Sequence, residues 1–187
     1  MAQIRQPGQV KLIVALLAGG SEWLDAAVQR LEGLFGPVDL LSPDWPFTFT
    51  DYYAAQMGEA LIRRLVAFER LIDPGTLAAI KLQTNELEAE LARRFSGPAR
   101  PVNLDSGYVA PGKLILASAK DFAHRVYLGQ GIYAEVTLQY VGGQWKRLPF
   151  TFPDYASGLY DAFLSAARKR LMDQTKAGGR SLEAGGA

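Results

Sequence analysis

Lys11-Leu-Ile-Val-Ala-Leu-Leu-Ala18, followed by Gly19-Gly20, decides how the rest of the chain is read. A run this short, apolar on consecutive positions and closed by glycines, predicts a strand buried on both faces. Such a strand needs layers above and below it, so the fold is expected to mix helices and sheet. After Ser21, Trp23, Leu24, Ala27, Val28, Leu31 and Leu34 recur at helical spacing, and Gly36-Pro37 ends that helix. Val38 to Leu41 predicts a short strand, and the prolines of Ser42-Pro-Asp-Trp-Pro46 predict a loop. Asp51 reads as the N-cap of an amphipathic helix to Ile72, with Met57, Leu61, Leu65 and Phe68 on one face. Leu77 to Leu82 predicts a strand, followed by a helix capped at Thr84 or Asn85 and running through Leu87, Leu91 and Phe95. Pro101 to Val109 predicts a strand with a turn at Asp105-Ser-Gly107, and Lys113 to Ala119 predicts another strand. Ile132 to Val141 alternates, with Ile132, Ala134, Val136, Leu138 and Tyr140 on one face and Tyr133, Glu135, Thr137 and Gln139 on the other. Gly142-Gly143 then predicts a hairpin turn, and Pro153-Asp154 opens a last helix through Leu171.

The expected fold is therefore α+β, with a central mixed sheet of about six strands and three or four helices. Residues 1–173 are expected to form one domain, and the glycine-rich tail, 174–187, to be disordered. Pro46-Phe-Thr-Phe-Thr-Asp-Tyr52 matches Pro149-Phe-Thr-Phe-Pro-Asp-Tyr155 at six of seven positions, and Lys11-Leu-Ile-Val-Ala15 resembles Lys113-Leu-Ile-Leu-Ala117. The near-equal offsets of 103 and 102 residues suggest two related halves, 9–73 and 111–173, with 74–110 between them. The narrow alphabet of strand-to-helix junctions is the competing explanation. Related halves would place a ligand cleft between them.

Composition removes several classes. The chain of 187 residues is 49% hydrophobic, enough for a core without staples. It has no cysteine, which excludes disulfides and cysteine-ligated zinc or iron–sulfur centres and suits a reducing compartment. Twenty basic and nineteen acidic residues leave a net charge of +1, too little for non-specific grip on duplex nucleic acid. The run from Val10 to Ala18 is too short to span a bilayer and lacks the flanks of a signal peptide. A cytoplasmic, soluble protein is expected, with neither a membrane nor a duplex as partner. No phosphate-loop, dinucleotide-binding, hydrolase-elbow or zinc-protease motif occurs, so the sequence names no cofactor and no metal ligands.

Four polar clusters remain as candidate chemistry. Lys81-Leu-Gln-Thr-Asn-Glu86 puts Lys81 and Asn85 at a predicted helix start, either an anion site or a plain cap closed by Glu88. Asn103 and Asp105 share one strand face and can orient a ligand or a cation; a turn at Asp105-Ser-Gly107 is the plainer reading. Ser118-Ala-Lys-Asp-Phe-Ala-His-Arg125 follows a buried strand and offers Lys120 and Arg125 to a phosphate or carboxylate, with a solvated loop as the alternative. His124 is the only histidine, so imidazole chemistry rests on it alone. Glu135 is the candidate acid or base if its strand face lines a cleft. Asp51 and Asp154 sit at equivalent places in the repeated peptide and read as helix caps.

Read in order, Tyr52-Tyr-Ala-Ala-Gln-Met-Gly58, Lys81-Leu-Gln-Thr-Asn-Glu-Leu-Glu88, Val102-Asn-Leu-Asp-Ser-Gly-Tyr108, Leu116-Ala-Ser-Ala-Lys-Asp-Phe-Ala-His-Arg-Val-Tyr127, Gly131-Ile-Tyr-Ala-Glu-Val-Thr-Leu138 and Pro153-Asp-Tyr155 resemble an uncharacterised prokaryotic family, domain of unknown function 4416. The resemblance runs from about residue 10 to 173. It departs from the family pattern at Phe150 and Phe152, where members carry tryptophan and tyrosine. It implies one domain, and neither a reaction nor catalytic residues. The function expected from the clusters is binding or turnover of a small phosphorylated or nucleotide-like anion. Lys81, Asn85, Asn103, Asp105, Lys120 and Arg125 would bind it, and His124 and Glu135 would carry any acid–base step. The alternative is a non-catalytic interaction or assembly module, in which these polar groups are caps and turns. Whether the protein is an enzyme, and its oligomeric state, are left open by the sequence.

Overall fold

The structure, a computed structural model, describes residues 3–50, 52–58, 60–94 and 97–184. Among the described residues nine strands make one sheet: β1 (Val10–Ala18), β2 (Val38–Leu41), β3 (Trp45–Pro46), β4 (Ile62–Ile72), β5 (Val102–Ala110), β6 (Lys113–Ser118), β7 (Val126–Gly129), β8 (Ile132–Val141) and β9 (Gln144–Arg147). The helices are α1 (Ser21–Phe35), the single turn α2 (Ala54–Met57), α3 (Leu77–Arg94), the single turn α4 (Pro153–Ala156) and α5 (Asp161–Ala184). The α+β class holds, but the sheet has nine strands and every pairing is antiparallel, where a mixed sheet of about six was expected. Its order is β2-β4-β1-β5-β6-β8-β7. Each end position is filled by two short strands, β2 and β3 on β4, and β7 and β9 on β8.

The opening strand is buried along its whole length. Leu12, Val14 and Leu16 pack under Leu24 and Leu31 of α1 and Ile80, Leu87 and Leu91 of α3. Ile13 and Ala15 face the opposite way, against Phe163, Leu164 and Ala167 of α5. Helices thus cover both faces of the sheet. Lys11, fully buried, is tolerated because its ammonium donates to Asp39 Oδ2 at 2.6 Å and to Gln174 Oε1 at 2.9 Å.

Four local expectations are corrected. The second half of the helix predicted from 51 to 72 is strand β4, and only the turn α2 is helical; Asp51, its predicted cap, lies outside the described residues. Leu65, Val66, Ala67 and Phe68 are all buried, as a strand covered on two faces permits and a one-sided helix does not. Leu77 to Leu82, predicted as a strand, begins α3, because Asp73 caps the preceding 3-10 turn by accepting from the Gly75 N–H at 2.7 Å. The predicted Asp105–Gly107 turn is continuous strand. In β8 a bulge opposite Leu114 and Ile115 flips the alternation, so Leu138 and Tyr140 share the α5 face while Ile132 and Val136 face α3.

The repeated peptides lead into different elements: the first into α2 and then strand β4, the second into α4 and then helix α5. The halves predicted from them therefore differ in element order. Of residues 174–187, expected to be disordered, 174–184 continue α5 and 185–187 lie outside the described residues. Gln174 docks this stretch by donating to Glu69 O at 2.7 Å, and extending a docked helix avoids the cost of nucleating one.

Candidate functional site

The sheet splits between its central strands. Pairing of β5 with β6 runs only from Ala110↔Lys113 to Gly107↔Leu116. At the last pair the strands approach so closely that a Cβ on Gly107 would sit 2.2 Å from the Ile115 carbonyl oxygen, so only glycine fits. Beyond it, Asn103 and Asp105 of β5 are unpaired with Ala117 and Ser118 of β6. Helix α3 supplies what the missing partner strand would have given. The Leu104 N–H donates to Glu88 Oε1 at 2.7 Å, and the Leu104 carbonyl accepts from Lys81 Nζ at 2.7 Å.

A cavity of about 570 Å³ opens at this split. Pairing registers put Arg63, Asn103, Asp105, Leu116, Ser118 and Glu135 on one face of the sheet, where they form its floor. Lys81, Asn85, Arg100, Lys120, Arg125 and Asp154 complete the polar lining, and seven aromatic rings, among them Phe47, Tyr53, Phe122 and Phe152, make the apolar walls. Five cationic side chains face three carboxylates.

Two ionic networks tie lining residues to groups behind them. In the first, Arg100 holds Glu88 at 2.8 Å and also donates to Asn103 Oδ1. Asn103 Nδ2 donates to Asp105 Oδ2 at 2.8 Å, and the same oxygen accepts from Arg63 Nη1 at 3.0 Å. Arg63 Nη2 lies 3.6 Å from Asp154 Oδ2, which accepts from the Tyr160 hydroxyl at 3.2 Å. Arg63 Nε and the Tyr155 hydroxyl, both buried, have no partner among the described residues. In the second network, Glu135 Oε2 accepts from Arg125 Nε at 2.8 Å and pairs with His124 Nε2 at 3.1 Å. Thr137 donates to the other Glu135 oxygen at 3.3 Å. Arg125 Nη1 donates to Ser118 Oγ at 2.7 Å and to the Lys120 carbonyl at 2.9 Å, while Nη2 has no partner among the described residues. The Arg125 guanidinium sits 4.9 Å from the centre of the Phe122 ring. At the mouth, Lys120 Nζ donates to the Tyr52 hydroxyl at 2.8 Å.

The two aspartates on Arg63 titrate in opposite directions. Burial acts to raise Asp105, but Arg63, Lys81 and Arg100 outweigh it and hold the carboxyl below its usual range. For Asp154 burial wins over Arg63 and the acid is raised. Glu88 is likewise raised, by burial, against Lys81 and Arg100. Burial pushes Tyr53, on the cavity wall, up to about 12.

Of the residues singled out in the sequence, Lys81, Asn85, Asn103, Asp105, Lys120, Arg125 and Glu135 all line this cavity. Lys81 and Asn85 do so from the middle of α3, so the helix start predicted there is absent. His124 stands behind Glu135, stacked on Phe150 at 4.4 Å, and is not part of the lining. Asp154, read as a cap, is a buried counter-ion of Arg63; Phe152 occupies the N-cap position. Arg63 and Arg100 escaped the sequence reading. The pair Arg63-Arg64 before the apolar run 65–68 is the one local sign of Arg63, and a helix over 51–72 gives no reason to place it at a site. Among the described residues no group of three or more His, Asp or Glu is placed to hold a metal ion, and no helix is long and apolar enough to cross a membrane.

Fold and cavity together define an antiparallel α+β protein with a charged, aromatic-walled cleft at a split in its sheet. The chain belongs to the family described as domain of unknown function (DUF4416), which matches residues 8–171. No curated protein and no solved structure matches it.

Proposed function

We propose that the cleft binds a small organic anion, phosphorylated or nucleotide-like. The observation that carries this reading is the convergence of Lys81, Asn85, Asn103, Asp105, Lys120, Arg125 and Glu135 on one cavity with five cations to three carboxylates. A lining with surplus positive charge and a low-dielectric surround favours an anionic occupant. The volume, about 570 Å³, suits a molecule of metabolite size rather than an inorganic ion. Arg125 is the principal contact, because Nη2 is uncommitted and Glu135 fixes the guanidinium in place. Binding is favoured over turnover: His124 lies outside the lining, and both Glu135 oxygens are engaged.

A thermal-shift panel of nucleotides and sugar phosphates tests this reading. A true ligand at a hundred times its Kd stabilises the native state by ~2.7 kcal/mol. At least one member should raise the Tm of the wild type and not that of Arg125→Ala. A panel without any shift, or a shift unchanged in the variant, overturns it.

A second reading, a non-catalytic assembly module, draws on β7. Val126, Tyr127 and Leu128 of this edge strand are 68%, 59% and 43% exposed, an apolar edge of the kind that recruits another strand. Sedimentation across a concentration series tests it: a mass that stays monomeric at high concentration removes self-assembly.

A further inference from the structure

We propose that the occupant of this cleft is an amino-bearing organic anion, its charge held by Arg125 and Lys120 and its N–H group donated to Asp105. The inference rests on the anion-binding reading and adds the chemistry of the ligand's other end. Asp105 is a cavity-lining carboxylate with 29% of its side chain exposed. Both of its contacts, from Arg63 and Asn103, fall on Oδ2, and Oδ1 has no partner among the described residues. The surrounding cations keep this acid ionised, so Oδ1 is a full acceptor on a residue that lines the cavity. No such acceptor stands at the other end: Glu135 is 1% exposed and spends both oxygens on Arg125, His124 and Thr137.

The two ends are separated by strand β6. Two strand spacings of ~4.8 Å put the floor positions of Asp105 and Glu135 roughly 10 Å apart, more where the strands splay. One phosphate cannot touch both ends. A phosphate ester with an amine several bonds away can, and the aromatic walls cover the apolar part between them. The free carboxylate oxygen repels an anionic group placed against it and accepts a donor, so it selects by penalty as well as by contact.

Two matched pairs of esters test this on the full chain by calorimetry: glucosamine 6-phosphate against 2-deoxyglucose 6-phosphate, and adenosine monophosphate against purine riboside monophosphate. Each pair shares its phosphate and ring shape and differs in whether an amine is presented. A hydrogen bond to a charged acceptor predicts a preference of about tenfold for the amino member of at least one pair. Asp105→Asn should reduce that preference to within about twofold while leaving the non-amino ester bound. Equal affinities within both pairs in the wild type, or a preference kept by Asp105→Asn, overturns the inference alone. If none of the four esters binds the wild type, the anion-binding reading fails and the inference with it. The wild-type comparison needs no variant, so it stands even if Asp105→Asn does not fold.

Discussion

Arg63 and Arg125 line the same cavity with 4% and 5% of their side chains exposed, yet they are neutralised differently. Arg63 lies between two carboxylates, Asp105 at 3.0 Å and Asp154 at 3.6 Å, and against the Phe47 ring at 4.9 Å. Its charge is over-compensated. Arg125 has one carboxylate, Glu135, which it shares with His124, and its other contacts are a hydroxyl and a carbonyl. Lys120 adds a further cation beside it. An arginine with two counter-ions fixes strands to one another; one with a shared counter-ion and a spare nitrogen keeps positive potential for something else. The repeated peptide serves both, since Phe47 from one copy packs on Arg63 and Phe152 from the other lies 5.8 Å from Arg125.

The largest expected effect falls on the over-compensated centre. Arg63→Met leaves Asp105 and Asp154 without their shared cation and should cost ~3–5 kcal/mol in urea unfolding, the usual penalty for breaking a buried pair. A loss under ~1 kcal/mol would mean that the arginine is not what holds the floor together. Arg125→Ala should cost less, ~1–3 kcal/mol, because Glu135 keeps His124 and Thr137 as partners. If its cost equals or exceeds that of Arg63→Met, the contrast between the two centres is wrong.

The two aspartates on Arg63 give a subtler contrast in pH. Asp105 is lowered on folding, so its contribution is present above the unfolded value of about 4 and is lost as pH falls below it. Asp154 is raised, so its contribution is full below about pH 4 and is lost as pH rises through its folded value. Relative to Asp105→Asn, the wild type should therefore gain stability as pH rises toward about 4, and relative to Asp154→Asn it should lose stability above about 4. Urea midpoints from pH 3 to 7 on the three proteins read both slopes, and equal slopes would remove the asymmetry. The smallest effect is at the mouth. Tyr52→Phe removes the bond to Lys120 between exposed groups and should change stability by no more than ~0.5 kcal/mol. A larger loss would show that the two loops bearing them are held by this contact.

The sequence by itself determined the elements whose signal is local. Lys11–Ala18 reads as a covered strand because a short apolar run closed by two glycines suits one, and β2, β6, β8 and α1 followed from short-range periodicity and punctuation. The polar clusters were legible as well, since Lys81, Asn103, Asp105, Lys120, Arg125 and Glu135 are charged or amide groups beside or within apolar runs of the sequence. What only the tertiary structure decided rests on contacts distant along the chain. Leu61, Leu65 and Phe68 fit helical spacing, and residues 62–72 became a strand because β1, β2 and β3 offered backbone partners on both sides. Arg63 became a site residue because Asp105 and Asp154, 42 and 91 positions away, fold onto it, and no local pattern encodes such a meeting. The cavity itself exists because β5 and β6 part at Gly107, where α3 side chains replace a partner strand, and the free energy of that exchange is set by packing across the sheet.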